Sequence, residues 1–404
     1  METMVNIKSS LSDKIDSTRA GIMQDAKVFD IDYLPEELIE REVTKELFNY
    51  ITSFVHYGTV NNILLTGCPG TGKTITARVT QIIVSQRGVE AFYVNCKDKK
   101  VNDVLSSLMK PNEFRELRIG DDILQKILSS IKKDKVLIIL DEIDKSPSSK
   151  ELLYDLSRVK EVYPEIPLRI SLLLISNHPM WDSTLDSYIR SSLQLIKLEF
   201  KPYSENELYQ ILQNRVNVGF LPEVITNDQI KDLAKWTCQE REGDTRVAMK
   251  ALQRAGIIAE QQRSRKVENS HIEKAKEQAI RINELLRLTG LTDNQFFVLY
   301  TAKQEASSFS EFAQKYAETA YSFSRGKVIP LKRSAIQQTL AYLDNLYLIK
   351  TEILLEKRGD NIPPLRRLKI TPRIESSILE EELSKRIPSI EHKKVKTEHS
   401  RKSR

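Results

Sequence analysis

Cysteine is scarce: the 404 residues hold three, Cys68, Cys96 and Cys238. Their number is odd and their spacing suits no metal, so neither a disulfide framework nor a cysteine-ligated metal site is expected, and the chain reads as built for a reducing interior. Long apolar runs are missing too. Runs such as those at residues 136–140 and 172–175 fall far short of the roughly 20 residues needed to cross a bilayer. The N-terminus is polar and mixed in charge, without the apolar core of a secretory leader. A cytoplasmic protein with no membrane partner is the expectation. No internal repeat is visible, and neither sign of charge dominates. Against 62 Lys and Arg stand 56 Asp and Glu, a net charge of +6, which by itself argues weakly for nucleic acid. The distribution says more. From Leu331 to Arg373 there are nine Lys or Arg against four acids, and from His392 to Arg404 six against one.

What is present centres on Gly67-Cys68-Pro69-Gly70-Thr71-Gly72-Lys73-Thr74, which follows the apolar run Asn62-Ile63-Leu64-Leu65-Thr66 and opens a helical pattern. Strand, glycine-rich loop and helix in that order form a phosphate cradle, with backbone N–H groups turned inward at the positive end of a helix dipole. Gly67, Pro69, Gly70, Thr71 and Gly72 would shape the cradle for ATP or ADP. Lys73 would reach the β- and γ-phosphates, and the Thr74 hydroxyl would ligate Mg²⁺. The plain alternative is a glycine-rich turn. A second element weighs against it: Val136-Leu137-Ile138-Ile139-Leu140 reads as a strand buried on both faces and ends in Asp141-Glu142. Asp141 would hold Mg²⁺ through water, and Glu142 would polarise the water that attacks the γ-phosphate. A solvated acidic loop is the alternative there.

Strands alternating with helical stretches imply an α/β fold, a parallel sheet flanked by helices. Residues 1–27 are expected to be a flexible N-terminal segment, and 28–200 the nucleotide-binding base. Within the base a helix is expected over 36–55 with Pro35 near its start, and residues 101–133 read as helical with a break near Pro111. Pro202 marks a change of character. Ser204-Glu205-Asn206-Glu207 is a capping box, and the helices predicted after it make 201–288 an all-α lid. Thr292-Asp293-Asn294-Gln295 opens a third part, 289–378. Three helices, the last carrying Ile336, Leu340, Leu343 and Tyr347, precede two short strands at 348–353 and 365–370, the pattern of a C-terminal winged helix. Residues 379–404 read as a basic tail.

Two further residues stand at informative places. Asn177 ends the buried run Ile170-Ser171-Leu172-Leu173-Leu174-Ile175-Ser176, where it could bond the γ-phosphate or the attacking water; an Asn satisfying a turn is the alternative. Arg246 opens a helix whose apolar face is Ala248, Ala251, Leu252 and Ala255, and it lies off that face, as a phosphate sensor or an ordinary surface arginine would.

In order and spacing these signatures resemble the AAA+ ATPases, and within them the archaeal origin-recognition/cell-division-control initiators. The resemblance runs from about residue 28 to 375. It rests on the P-loop, Leu140-Asp141-Glu142-Ile143-Asp144, Ile175-Ser176-Asn177, Ile189-Arg190-Ser191-Ser192-Leu193, Phe200-Lys201-Pro202-Tyr203-Ser204 and Gly243-Asp244-Thr245-Arg246. It implies that Asn177 is a first nucleotide sensor and Arg246 a second, and that Tyr203 and Arg215 contact ATP. Arg190 would be presented to a neighbour's nucleotide, with a structural ion pair as the alternative. The resemblance also puts an extra DNA-contacting helix at 101–133, although Lys99-Lys100-Val101 lacks the threonine-rich stretch that usually precedes it.

DNA binding is also argued from the residues. The third helix of a winged helix enters the major groove, and Lys332, Arg333, Ser334, Gln337, Gln338, Ala341, Tyr342 and Asn345 lie off its apolar face. Arg and Gln can read guanine and adenine edges. Lys357 and Arg358 in the wing, with Arg366 on its second strand, suit phosphates or a minor groove. The function implied is that of an ATP-dependent replication initiator. It would bind duplex origin DNA, help recruit the replicative helicase, work beside paralogous initiator subunits, associate with the nucleoid, and use slow Mg²⁺-dependent hydrolysis as a switch. Two alternatives stay open: an ATP-responsive DNA-binding regulator or repressor of initiation, and a helper ATPase whose winged helix binds protein.

Overall fold

The computed structural model describes residues 21–108, 122–346, 348–356 and 365–387. The expectations at 109–121, at Tyr347, at Lys357 and Arg358, and from 388 onward lie outside the described residues, as do the side chains of Asn345 and Arg366. The chain divides into two compact units, Met1–Ala275 and Lys276–Arg404.

In the first unit five strands form one parallel sheet: β1 Ile63–Thr66, β2 Glu90–Asn95, β3 Lys135–Asp141, β4 Arg169–Ile175 and β5 Ile196–Glu199. Their order is β2-β3-β4-β1-β5. The central strands read as unbroken apolar runs because both faces are covered. Leu64, Ile138, Leu140, Leu172 and Leu174 enter one buried core. Ile63, Leu65, Leu137, Ile139, Leu173 and Ile175 alternate with them into a second. Each such side chain contributes roughly 1.5–3 kcal/mol on burial, so a slip of one residue would be costly on both faces. The register pairs Asn95 with Asp141 and Leu65 with Ile175. The carboxyl ends of β1 to β4 thus lie side by side, where open α/β sheets take their ligands.

The helix expected over 36–55 begins later, as Glu42–Tyr57. Its start is fixed at Arg41, whose N–H donates to Thr44 Oγ1 at 2.9 Å, and the residues between Pro35 and Arg41 are not helical. Beyond β5 the chain enters three lid helices, Glu205–Gly219, Asn227–Glu240 and Thr245–Gln261. Ser204 and Glu207 close the capping box expected of them, and Ala248, Ala251, Leu252 and Ala255 are buried.

Residues 21–27, expected within a flexible segment, are instead built into the first unit. The Ile22 and Met23 N–H groups donate to Glu260 Oε1 at 3.0 and 3.1 Å, and Met23 forms a β-bridge with Phe220. Val28 and Phe29 are buried against Gly219, and Met23 against Gly256, where a Cβ would meet their side-chain atoms within 2.7 Å. Apolar residues spaced through a polar stretch found a partner surface more than 190 residues away.

The helix Asn269–Thr289 contains the boundary between units. The second unit continues with helices Asp293–Thr301, Phe309–Ser324 and Arg333–Asn345, then the antiparallel strands β6 Ile349–Glu356 and β7 Leu365–Pro372. Phe296, Phe297, Phe312, Tyr316, Ile336, Leu340 and Leu343 are buried together. The buried Tyr316 hydroxyl donates to Asn294 Oδ1 and accepts from the Leu331 N–H. A tail beginning at 379 is not observed. Residues 376–387 are helical, with Ile378, Leu379 and Leu383 in the same core. Arg386 holds this helix by donating to Glu382 and to the Leu288 and Leu291 carbonyls. No helix among the described residues is long and apolar enough to cross a membrane.

Candidate nucleotide site

At the carboxyl edge of the first unit's sheet lies a cavity of about 630 Å³. It is lined by Pro69, Gly70, Thr71, Gly72, Lys73 and Thr74 of the loop, by Asp141 and Glu142 after β3, by Asn177 after β4, and by Tyr203, Arg215 and Arg246 of the lid side. Gly67 lies at the root of the loop against Phe200. Residues scattered over 180 positions of sequence therefore share one space.

The loop leaves no room for side chains at its glycines. Gly70 has φ +81, and a Cβ there would lie 2.1 Å from Asp244 Oδ1; Gly72 has φ +91, and a Cβ would lie 2.1 Å from the Tyr203 hydroxyl. Backbone in the left-handed region and lid atoms at contact both demand glycine. Thr245 Oγ1 donates to the Gly70 carbonyl at 2.9 Å, so the lid rests directly on the loop.

Lys73 is buried, its ammonium donating to the Gly67 and Cys68 carbonyls, each at 2.7 Å. Burial pushes its pKa down to about 8. Thr74 donates its hydroxyl to Asp141 Oδ2 at 2.8 Å, Tyr93 donates to the same oxygen at 2.7 Å, and the Glu142 N–H donates to Oδ1 at 2.8 Å. Glu142 turns at φ +51 and accepts from Lys145 and from Asn95 Nδ2. Burial would raise the Glu142 carboxyl, but the Lys145 hydrogen bond and charge hold it below the usual range. Arg246 forks onto its neighbour, Nε to Asp244 Oδ1 at 2.9 Å and Nη2 to Oδ2 at 2.7 Å. Arg215 is buried with its guanidinium 4.5 Å from the centre of the Tyr33 ring.

Comparison with known proteins adds the following. Residues 57–178 match the family model of an AAA domain, and residues 209–277 that of a Cdc6 AAA+ ATPase-type lid domain. An ORC1-type DNA replication protein of Thermococcus kodakarensis is 28% identical over 381 residues, 87% of this chain and 89% of that protein. One from Thermococcus onnurineus is 32% identical over 278 residues, 63% of this chain and 66% of that protein. Among solved structures, the Aeropyrum pernix ORC1 protein in complex with DNA superposes with a TM-score of 0.66 at 25% identity, covering 90% of this chain and 97% of that one. The Aeropyrum pernix ORC2 protein, in ADPNP and ADP complexes, gives 0.66 at 23%, covering 91% and 99%, and shares the fold. This chain belongs to the archaeal Orc/Cdc initiators of the AAA+ superfamily.

In this Orc/Cdc chain Tyr203 and Arg215, twelve positions apart, line the same cavity. The helix Glu205–Gly219 starts just after Tyr203 and carries Arg215 roughly 15 Å along its axis, so the two line the cavity at different points along it. Arg190 is not brought to the site. It is exposed on the helix Ser187–Leu193, outside the cavity lining, and the structural ion pair that was its alternative is not formed among the described residues.

Several residues of the site escaped the sequence reading. Tyr93 holds the Asp141 carboxylate, and its only sequence signal is a place two residues before the end of β2. Residues 28–39 wall the cavity through Val28, Ile31, Tyr33, Leu38 and Ile39. In the second unit Lys332, Arg333, Ser334, Gln337 and Gln338 are exposed on one side of the helix Arg333–Asn345, whereas Tyr342 is half-buried against the core. The Arg333 guanidinium lies 5.0 Å from the centre of the Phe309 ring.

Proposed function

We propose that this chain is an ATP-dependent replication initiator that binds duplex origin DNA, helps recruit the replicative helicase, and uses slow hydrolysis as a switch. The observation that carries the reading is the convergence of Lys73, Thr74, Asp141, Glu142, Asn177 and Arg246 on one cavity roofed by the lid. The base is taken as 28–200 and the lid as 201–288, with the first now extended back to the segment at 21–27.

In this reading ATP lies along the loop, Lys73 exchanges its two carbonyl partners for phosphate oxygens, and residues 28–39 receive the base. The donor set suits Mg²⁺: Thr74 Oγ1 and Asp141 Oδ2 are hard oxygens 2.8 Å apart, and such a site needs few protein ligands because the phosphates supply the rest. Bound there, Mg²⁺ would neutralise charge on the β- and γ-phosphates. Glu142, kept ionised, orients the attacking water. Asn177 and Arg246 sense the γ-phosphate, and Arg246 must leave Asp244 to do so. Arg190, free and exposed, suits presentation to a neighbouring paralogous subunit.

The second unit, with three helices and an antiparallel ribbon, is read as a winged helix over 289–378. Lys332, Arg333, Ser334, Gln337 and Gln338 would face the major groove, and Lys357, Arg358 and Arg366 would serve the wing. A DNA complex of the related Aeropyrum pernix ORC1 supports this reading. The test is footprinting across the source genome's candidate origins with ATP, with ADP and with Lys73→Ala. A discrete protected site that depends on nucleotide supports the initiator. No protection, at a salt concentration where other winged helices bind, would replace it with a protein-binding helper.

A further inference from the structure

Arg41 has no part in the motifs and does not line the cavity, yet it touches the phosphate loop, the linker after β5 and the first lid helix at once. Its side chain is 9% exposed and its Nε pairs with Glu207 Oε1 at 3.1 Å. Nη2 donates to the Lys201 carbonyl at 2.7 Å, in the linker between base and lid. Nη1 points at the Thr71 carbonyl of the phosphate loop, 3.4 Å away. The face of the guanidinium lies 4.6 Å from the centre of the Tyr203 ring, and the Tyr203 hydroxyl rests against Gly72.

Glu207 is itself committed. Its second carboxylate oxygen accepts from the Ser204 N–H at 2.7 Å and the Ser204 hydroxyl at 2.9 Å, closing the start of the first lid helix. A rigid five-donor fork can hold loop, linker and helix in one plane, which a lysine cannot. Arg41 is also the residue from which the helix Glu42–Tyr57 of the base starts, so the fork is anchored on the base side.

We propose that Arg41 is a positioning residue that couples the phosphate loop to the lid, clamping Tyr203 against Gly72 so that the lid angle follows nucleotide occupancy. The inference rests on the nucleotide-binding reading above. An occupied loop fixes the Thr71 carbonyl and Gly72. Through Arg41 that fixes the Lys201 linker and Glu207, and hence the direction of the helix Glu205–Gly219.

The test uses the full chain, a fluorescent ADP and a fluorescent ATP analogue, with stopped-flow release rates and thermal unfolding with and without nucleotide. Arg41→Met keeps most of the packing and removes the fork; Arg41→Lys keeps the charge. Release from Arg41→Met is expected to be faster by about tenfold, the scale of one charge-assisted hydrogen bond, and the rise in Tm produced by nucleotide should shrink accordingly. Arg41→Lys should recover only part of both. Glu207→Gln should speed release less in the Arg41→Met background than alone, because the two act together. A lowered Tm with unchanged release rates and an unchanged nucleotide-induced rise would mean that Arg41 is merely structural and overturn the proposal. If Arg41→Met does not fold, release rates in Arg41→Lys equal to wild type overturn it. Failure of the wild-type chain to bind either nucleotide would overturn the nucleotide reading, and this proposal with it.

Discussion

Lys73 allows a quantitative prediction of pH dependence. Nucleotide-free, its ammonium is buried and donates to neutral groups, the Gly67 and Cys68 carbonyls and the Thr71 hydroxyl, and burial lowers its pKa from 10.5 to about 8. Bound phosphate would add negative charge beside it and restore the protonated form. Affinity should therefore scale with the protonated fraction of the free site. Nine-tenths of it remains at about pH 7 and half at about pH 8, and binding is weaker by about tenfold at pH 9. Titration of ADP by calorimetry without divalent metal, from pH 6.5 to 9.5, measures this directly. At pH 8 binding should take up about half a proton, seen as a dependence of the heat on the buffer. Lys73→Arg, which does not titrate in this range, is the control and should give a flat profile. The sign for stability is the opposite one. Below about pH 8 the folded and unfolded chains both hold the proton, and between about 8 and 10.5 only the unfolded chain does. The nucleotide-free protein should then gain stability as pH rises through that window. Affinity that stays constant from pH 7 to 9.5 in wild type would refute the assignment of Lys73 as a buried cation awaiting phosphate.

Gly72→Ala should lower ADP affinity by at least about tenfold with the fold kept, since the new Cβ meets both a left-handed backbone and the Tyr203 hydroxyl; equilibrium titration checks it. Tyr93→Phe takes one donor from Asp141 and should cost about 1–2 kcal/mol in denaturant unfolding, where an unchanged midpoint would break the link. Arg386→Met strands Glu382, 5% exposed, and should destabilise the second unit by about 3–5 kcal/mol, read as an earlier calorimetric transition. Arg333→Ala with Gln337→Ala should weaken specific more than nonspecific DNA binding; equal losses would show phosphate contact alone.

The parts of the site legible in the sequence are those whose chemistry and geometry are local. Gly67 to Thr74 carry their own turn requirements, and Asp141-Glu142 follow a run that only a buried strand explains. Ser204 and Glu207 announce a helix start within four residues. What was missed depends on partners distant in sequence. Tyr93 looks like any strand aromatic until β2 and β3 are in register. Arg41 looks like a surface charge until the linker at Lys201 folds over it. The helix start slid from Glu36 to Glu42 because Leu38 and Ile39 are used as cavity wall, which outweighs their helix propensity. The helix at 376–387 was hidden by the basic stretch that follows it, although Ile378, Leu379 and Leu383 already have helical spacing.

The pairing of Ile22 and Met23 with Glu260 bears on the order in which the protein is made. A chain emerging from its N-terminus exposes the apolar stretch around Met23, Val28 and Phe29 first, and the surface that receives it last, after the phosphate loop and all five strands. The wall of the cavity therefore cannot be completed during synthesis of the base, and its early segment must wait until Gly219, Phe220 and finally Glu260 have been made. A chain truncated before Glu260 would hold a complete phosphate loop beside a cavity wall whose leading segment lacks its anchor.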